Sequence, residues 1–246
     1  MTESDLVGRI SWAMSGGLPD VPVGPKAALM VIDVQYVDAH REGRLGRKAA
    51  EAGEMEALEY YFSRLETTAL PAMSALMAAC RTAGLPVIHT RIMNLAGDSA
   101  DTSRRYKCIG VLVPPDSPEA EFLPEVAPLP GEVVINKTTS GAFISTNADF
   151  VLRNMGIDTV IIVGVVTNNC VETTARDASD LGYAVILVDD ACAAITQEGH
   201  DYAMRHLHGN YVIVKSSAEV LEQIGTLTDT VTPHPKESQE LESTSG

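Results

Sequence analysis

Six short apolar runs, separated by segments with helical spacing, leave this chain few folds to adopt. The runs are Ala27–Asp33, Pro86–Arg91, Glu132–Lys137, Thr159–Val165, Ala184–Asp190 and Tyr211–Lys215. A strand wetted on one face alternates apolar with polar residues, whereas a strand apolar at nearly every position is covered on both faces, as in parallel sheets. Between the runs, Ala69, Met73, Leu76 and Cys80 recur at i, i+4, i+7 and i+11, ahead of Gly84. Ala148, Val151, Leu152 and Met155 follow Asn147, the expected N-cap, and stop at Gly156; Val171, Thr174, Ala175, Ala178 and Leu181 stop at Gly182. Glycine in the left-handed region is a common helix stop. Strands alternating with helices through short connections predict an α/β fold. The expected architecture is a single doubly wound domain, with a six-stranded, mostly parallel sheet and helices on both faces.

No internal repeat is visible. Residues 1–24, broken by glycine and proline, read as an N-terminal arm and 25–227 as the folded domain. Residues 228–246, where apolar periodicity ends, read as a disordered acidic tail. Lys+Arg 18 against Asp+Glu 33 give a net charge of −15, which repels phosphate backbones and anionic lipid, so neither nucleic acid nor a membrane surface is an expected partner. The apolar stretch Val160–Val166 is interrupted by Gly164 and falls far short of the roughly 18 residues of a membrane span. The first residues place two acids before any base and contain no apolar core of signal-peptide length, so a cytoplasmic location is expected. Cys80, Cys108, Cys170 and Cys192 are scattered, with no CxxC pair, and reduced thiols are expected.

In doubly wound sheets, ligands bind beyond the carboxyl ends of the strands. The first run ends in Asp33, the third in Lys137, and the fourth continues through Gly164-Val165-Val166-Thr167-Asn168-Asn169 into Cys170. One rim thus carries an acid, an ammonium and a thiol, a set complete for nucleophilic acyl transfer. Cys170 opens a helix, where unpaired N–H groups favour an anion and a lowered thiol pKa is expected. The alternative is a small buried core residue, which suits Cys80 and Cys192 well; Cys108, in an expected loop, fits either reading. Asp33 could cap the following segment or carry a proton. Lys137 could be a surface lysine at a strand end, or the cation that favours ionised Asp33 and Cys170. The basic loop Arg104-Arg105-Tyr106-Lys107 reads either as a solvated face or subunit contact, or as capture of a substrate carboxylate by Arg104 or Arg105.

ALMVIDVQ, VINKTTSGAF and IIVGVVTNNCVETTARDASDLGY, in that order, resemble the three signature blocks of the isochorismatase-like cysteine hydrolases, over about residues 25–225. The resemblance implies an Asp–Lys–Cys triad, carried here by Asp33, Lys137 and Cys170. It also implies a cis peptide between Val165 and Val166, an oxyanion hole built from the backbone N–H groups of Val166 and Cys170, and a homodimer or homotetramer. Many members run DxQNDF in the first block; here Gln35 is kept while the following Asn and Phe are replaced. Gln35, Tyr36, Thr167 and Asn169 are candidates to line the substrate pocket. Nicotinamidases carry an Asp-x-His and further histidines for a divalent metal, but here His89 stands alone within its strand and the other histidines show no ligand spacing. No metal is expected, nor any organic cofactor, since neither GxGxxG nor a P-loop motif is present.

TNNCVETTARDA most resembles the ureido- and carbamoyl-cleaving members. The implied function is a cysteine-dependent amidohydrolase that cleaves a C–N bond of a small carbamoyl, ureido or amide substrate through a thioester. Two alternatives stand beside it: an isochorismate-type vinyl-ether hydrolase, which needs no nucleophilic thiol, and a non-catalytic binding protein on the same fold. The metal-free expectation has a direct check. Turnover should survive exhaustive chelation with EDTA, and a loss restored by zinc or manganese would overturn it.

Overall fold

The computed structural model describes residues 17–230. Its sheet is all-parallel, in the order β3-β2-β1-β4-β5-β6. The strands are β1 (Ala27–Ile32), β2 (Val87–Ile92), β3 (Val133–Lys137), β4 (Thr159–Val165), β5 (Ala184–Ala193) and β6 (Ile213–Lys215). The helices are α1 (Tyr36–Ala39), α2 (Arg44–Ala52), α3 (Glu59–Arg64), α4 (Leu70–Thr82), α5 (Arg104–Ile109), α6 (Ala148–Asn154), α7 (Glu172–Asp180), α8 (Gln197–Leu207) and α9 (Ser217–Thr230). The strand order turns back between β1 and β4, the place where a doubly wound sheet opens a crevice at its carboxyl edge.

The two central runs behave as strands buried on both faces, whereas β3, at the edge, is only partly covered. All six residues of β1 and all seven of β4 are buried. Alternation along β1 divides the core into two layers. Leu29 and Val31 pack with Met73, Leu76 and Cys80 of α4 and with Val220 and Ile224 of α9. Ala28, Met30 and Ile32 face the opposite way, toward Leu152 of α6, Ala175 and Ala178 of α7, and Leu207 of α8.

The differences from the sequence reading have local causes. β5 runs three residues beyond its expected end at Asp190, and β6 begins two residues after Tyr211. Asn147 precedes α6 but makes no capping hydrogen bond; the Ala148 N–H is instead accepted by Thr146 Oγ1 at 3.0 Å. The expected loop at 104–107 is helical: Ser103 caps α5 by accepting the Tyr106 N–H at 3.2 Å, and Gly110, at φ 72°, ends it. Helices α1 to α3 arise from a stretch with no clean apolar stripe. α9 continues to Thr230, past the boundary set at 227. Residues 1–16 of the expected arm and 231–246 of the expected tail lie outside the described residues. The remainder of the arm is held down, with the Val23 N–H donating to Gln223 Oε1 and Lys215 Nζ to the Val21 carbonyl.

One glycine is required where β1 and β4 meet. Gly164 pairs with Ile32, the last residue before Asp33, and sits at φ 123°. A Cβ there would lie 2.3 Å from the Ile32 carbonyl oxygen and 2.7 Å from its nitrogen. No rotamer relieves a clash with backbone, so Gly164→Ala should cost at least about 2 kcal/mol. Urea unfolding would measure this as a lower midpoint; an unchanged midpoint would show that the strands can separate at no cost.

Candidate active site

β1 ends at Ile32, and Asp33 turns away from the strand at φ 54°, a left-handed conformation that aspartate adopts more readily than most residues. The turn holds the carboxylate at the rim rather than in either core layer. Asp33 is buried; its Oδ1 accepts from Thr90 Oγ1 at 3.0 Å, and its Oδ2 lies 2.7 Å from Lys137 Nζ. Lys137, at the end of β3, is fully buried, and its ammonium also donates to the Thr139 and Ser140 carbonyls at 2.8 and 2.9 Å. Burial alone would discharge this lysine. The Asp33 carboxylate at 2.7 Å opposes burial and the pKa is left raised, so it stays an ammonium.

Cys170 comes from the other side of the crevice. After β4 the Val165–Val166 peptide is cis, and the chain makes one π-helical turn, Thr167–Val171, before entering α7. The Cys170 thiol is buried and faces both the Lys137 ammonium and the Asp33 carboxylate. Its backbone carbonyl accepts from Thr174 Oγ1 at 2.6 Å, and the same hydroxyl accepts the Ala142 N–H at 3.1 Å. The loop after Lys137 and the turn around Cys170 are therefore joined through one side chain.

The structure corrects the expectation that the helix start lowers the thiol pKa. Burial pushes it up to about 12; Lys137 pulls against this, while Asp33 adds to it. Desolvation outweighs the helix field, so the resting group is a neutral thiol that needs a base.

The four expected pocket residues divide. Gln35 is a strut between strands: its amide donates to the Ile92 and Glu119 carbonyls and accepts the Ile92 N–H, leaving no group to reach a substrate. Tyr36 is half-buried, its ring 4.5 Å from His40. Thr167 is buried, with its hydroxyl 3.0 Å from His200 Nδ1. Asn169, half-buried beside Cys170, accepts from Arg105 Nη2 at 3.0 Å. Of the three cysteines besides Cys170, Cys80 and Cys192 are buried and Cys108 is exposed. His89 is buried, with Nε2 3.2 Å from Glu132 Oε2, and burial lowers its pKa despite that carboxylate. Among the described residues, no three His, Cys, Asp or Glu side chains are grouped as a metal site would require.

Several groups at the site escaped the sequence reading. Tyr106, fixed by α5, places its hydroxyl 3.5 Å from Cys170 Sγ and 3.2 Å from the Thr139 carbonyl. Behind the cysteine turn, His200 Nε2 lies 2.5 Å from Asp189 Oδ1, which Arg64 also approaches at 3.2 Å. This chain of groups runs from α3 through β5 and α8 to Thr167. Thr90, the residue of β2 paired with Ile32, lies two residues inside the strand's end at Ile92, where a polar group in a buried run is its only signal. Tyr106 and His200 carry no such signal, because helices bring them in from distant segments.

The pattern of the isochorismatase domain matches residues 27–219. The chain belongs to the isochorismatase family. It is 38% identical over 105 residues to the uncharacterized isochorismatase family protein YwoC of Bacillus subtilis, covering 43% of this chain and 56% of YwoC. It is 31% identical over 130 residues to the ureidoacrylate amidohydrolase RutB of Agrobacterium fabrum, covering 51% of this chain and 57% of RutB. The chain thus spans little more than half the length of either relative. Among solved structures, a cysteine hydrolase from Pseudomonas syringae pv. phaseolicola superposes with a TM-score of 0.75 at 27% identity, covering 87% of this chain and all of the other. The chain's relatives include a ureidoacrylate amidohydrolase and, at 28% identity, a maleamate amidohydrolase of Pseudomonas putida.

A buried neutral thiol beside an exposed one makes labelling informative. Iodoacetamide at pH 7 should modify Cys108 before Cys170, and the Cys170 rate should climb as the pH is raised. Peptide mapping would follow both; Cys170 reacting first at pH 7 would mean that its proton has already passed to a neighbour.

Proposed function

We propose that this chain is a cysteine-dependent amidohydrolase that cleaves a C–N bond of a small carbamoyl, ureido or amide compound. The observation that carries the reading is the 2.7 Å pair of buried Asp33 and Lys137 facing a buried, neutral Cys170 thiol. Asp33 takes the thiol proton, and the sulfur attacks the substrate carbonyl carbon. The backbone N–H groups of Val166 and Cys170 hold the oxyanion. The tetrahedral adduct collapses, the C–N bond breaks, and Asp33 returns its proton to the departing nitrogen as ammonia or an amine. Asp33 then accepts a proton from water, whose oxygen attacks the thioester. Collapse expels the sulfur, which regains its proton.

In this scheme Lys137 stays charged throughout, and its attraction offsets part of the cost of forming thiolate in a buried site. The Tyr106 hydroxyl stands 3.5 Å from the same sulfur. No step calls on an organic cofactor. The vinyl-ether alternative leaves the Cys170 thiol without a task.

Ammonia release from biuret, ureidoacrylate, N-carbamoyl amino acids and simple amides tests the proposal. At least one class should turn over, Cys170→Ala should abolish activity, and Asp33→Asn should cost on the order of 10²–10⁴ in rate. Circular dichroism would confirm folding, and a mass shift on the cysteine peptide after quenching would report the thioester. A folded Asp33→Asn protein retaining more than about a tenth of the rate would overturn the proton-transfer role.

A further inference from the structure

Arg105 stands at the mouth of this site with unused donors. Its Nη1 donates to Ser140 Oγ at 3.0 Å and its Nη2 to Asn169 Oδ1 at 3.0 Å. Ser140 gives its carbonyl to Lys137, and Asn169 precedes Cys170, so the guanidinium spans both arms of the triad. Its carbon lies 5.6 Å from the centre of the Tyr106 ring, whose hydroxyl touches the Cys170 sulfur. The planar group is thereby fixed in orientation by two neutral acceptors and one aromatic face.

Arg105 is exposed, and it has no carboxylate partner among the described residues. Arg41, Arg81 and Arg176, by contrast, are each paired with glutamates. A guanidinium has five N–H donors, and two are in use here. The remaining donors, on a cation held rigidly beside the nucleophile turn, suit a carboxylate or another planar anion. Arg104, the neighbouring candidate, is exposed without a contact to either arm of the triad.

We infer that Arg105 selects the substrate: it anchors a carboxylate on the same small molecule whose carbamoyl, ureido or amide carbonyl meets Cys170. This assignment rests on the amidohydrolase reading for the identity of the scissile group, though not for the anion site. The substrate class narrows to amide or ureido acids with a short spacer between carboxylate and carbonyl. Asn169 and Ser140 act as positioning residues, holding the guanidinium while leaving its outer edge to the ligand.

The test compares succinamate with its neutral counterpart succinamide, using calorimetry on the Cys170→Ala protein so that the readout does not depend on turnover. Succinamate should bind, and adding Arg105→Gln should weaken its binding by about 10-fold to 100-fold while leaving succinamide within about threefold. Arg105→Lys should recover part of the loss, as a point charge without the planar fork. Equal weakening of both ligands would make Arg105 a mere strut and overturn the inference. Undiminished succinamate binding in Arg105→Gln, or no succinamate binding with Arg105 intact, would also overturn it. If the anion-selective binding appears but no amide acid releases ammonia with the intact thiol, the anion site stands and the amidohydrolase reading falls.

Discussion

A charged lysine in a fully buried position has to be held there, and much of the site's construction follows from that. Lys137 is fully buried, yet its ammonium keeps its proton because Asp33 lies 2.7 Å away and two carbonyls accept its other hydrogens. Breaking such a pair by removing one partner commonly costs about 3–5 kcal/mol, since a lone charge is left in a poorly polarisable surround. Asp33 must therefore be presented at the rim, which its left-handed backbone achieves. The loop after β3 must also fold back to aim the Thr139 and Ser140 carbonyls at the ammonium.

In the proposed mechanism, the same pair lets a thiol with a pKa of about 12 act as a nucleophile. Burial denies Cys170 the water that would stabilise its anion, and the adjacent carboxylate disfavours a second negative charge. Moving the proton onto Asp33 removes that second charge as the thiolate forms, while Lys137 remains to attract it. Sulfur ionisation and carboxylate protonation are thus one coupled event, which the site favours only when the two occur together.

Much of the fold was legible because it rests on local chemistry. Continuous apolar runs such as Val160–Val163 announce strands covered on both faces, and glycines such as Gly84 and Gly182 mark helix ends. The rim rule then placed Asp33, Lys137 and Cys170 on one edge, since each stands at or just beyond a strand's end. What stayed hidden depends on tertiary approach. Nothing in the sequence around Tyr106 or His200 says that α5 and α8 will carry them to the cysteine turn. Gln35 misled for the complementary reason: it sits next to the site in sequence, yet its amide is consumed by the backbone of β2 and of the segment near Glu119. The thiol's acidity was misjudged because a helix start is visible in sequence, whereas the extent of desolvation is a property of the assembled crevice.

Thr174 has a consequence for motion. Its hydroxyl is shared between the Cys170 carbonyl and the Ala142 N–H, so it acts as a rivet through two loops that belong to different strands. A fluctuation that lifts the lysine loop must break that rivet or carry the cysteine turn along with it. The two arms accordingly form one cooperative opening unit rather than two independent ones. Amide protons on both loops would then exchange with solvent through a shared event, and the spacing of Lys137 and Cys170 would be lost all at once or not at all.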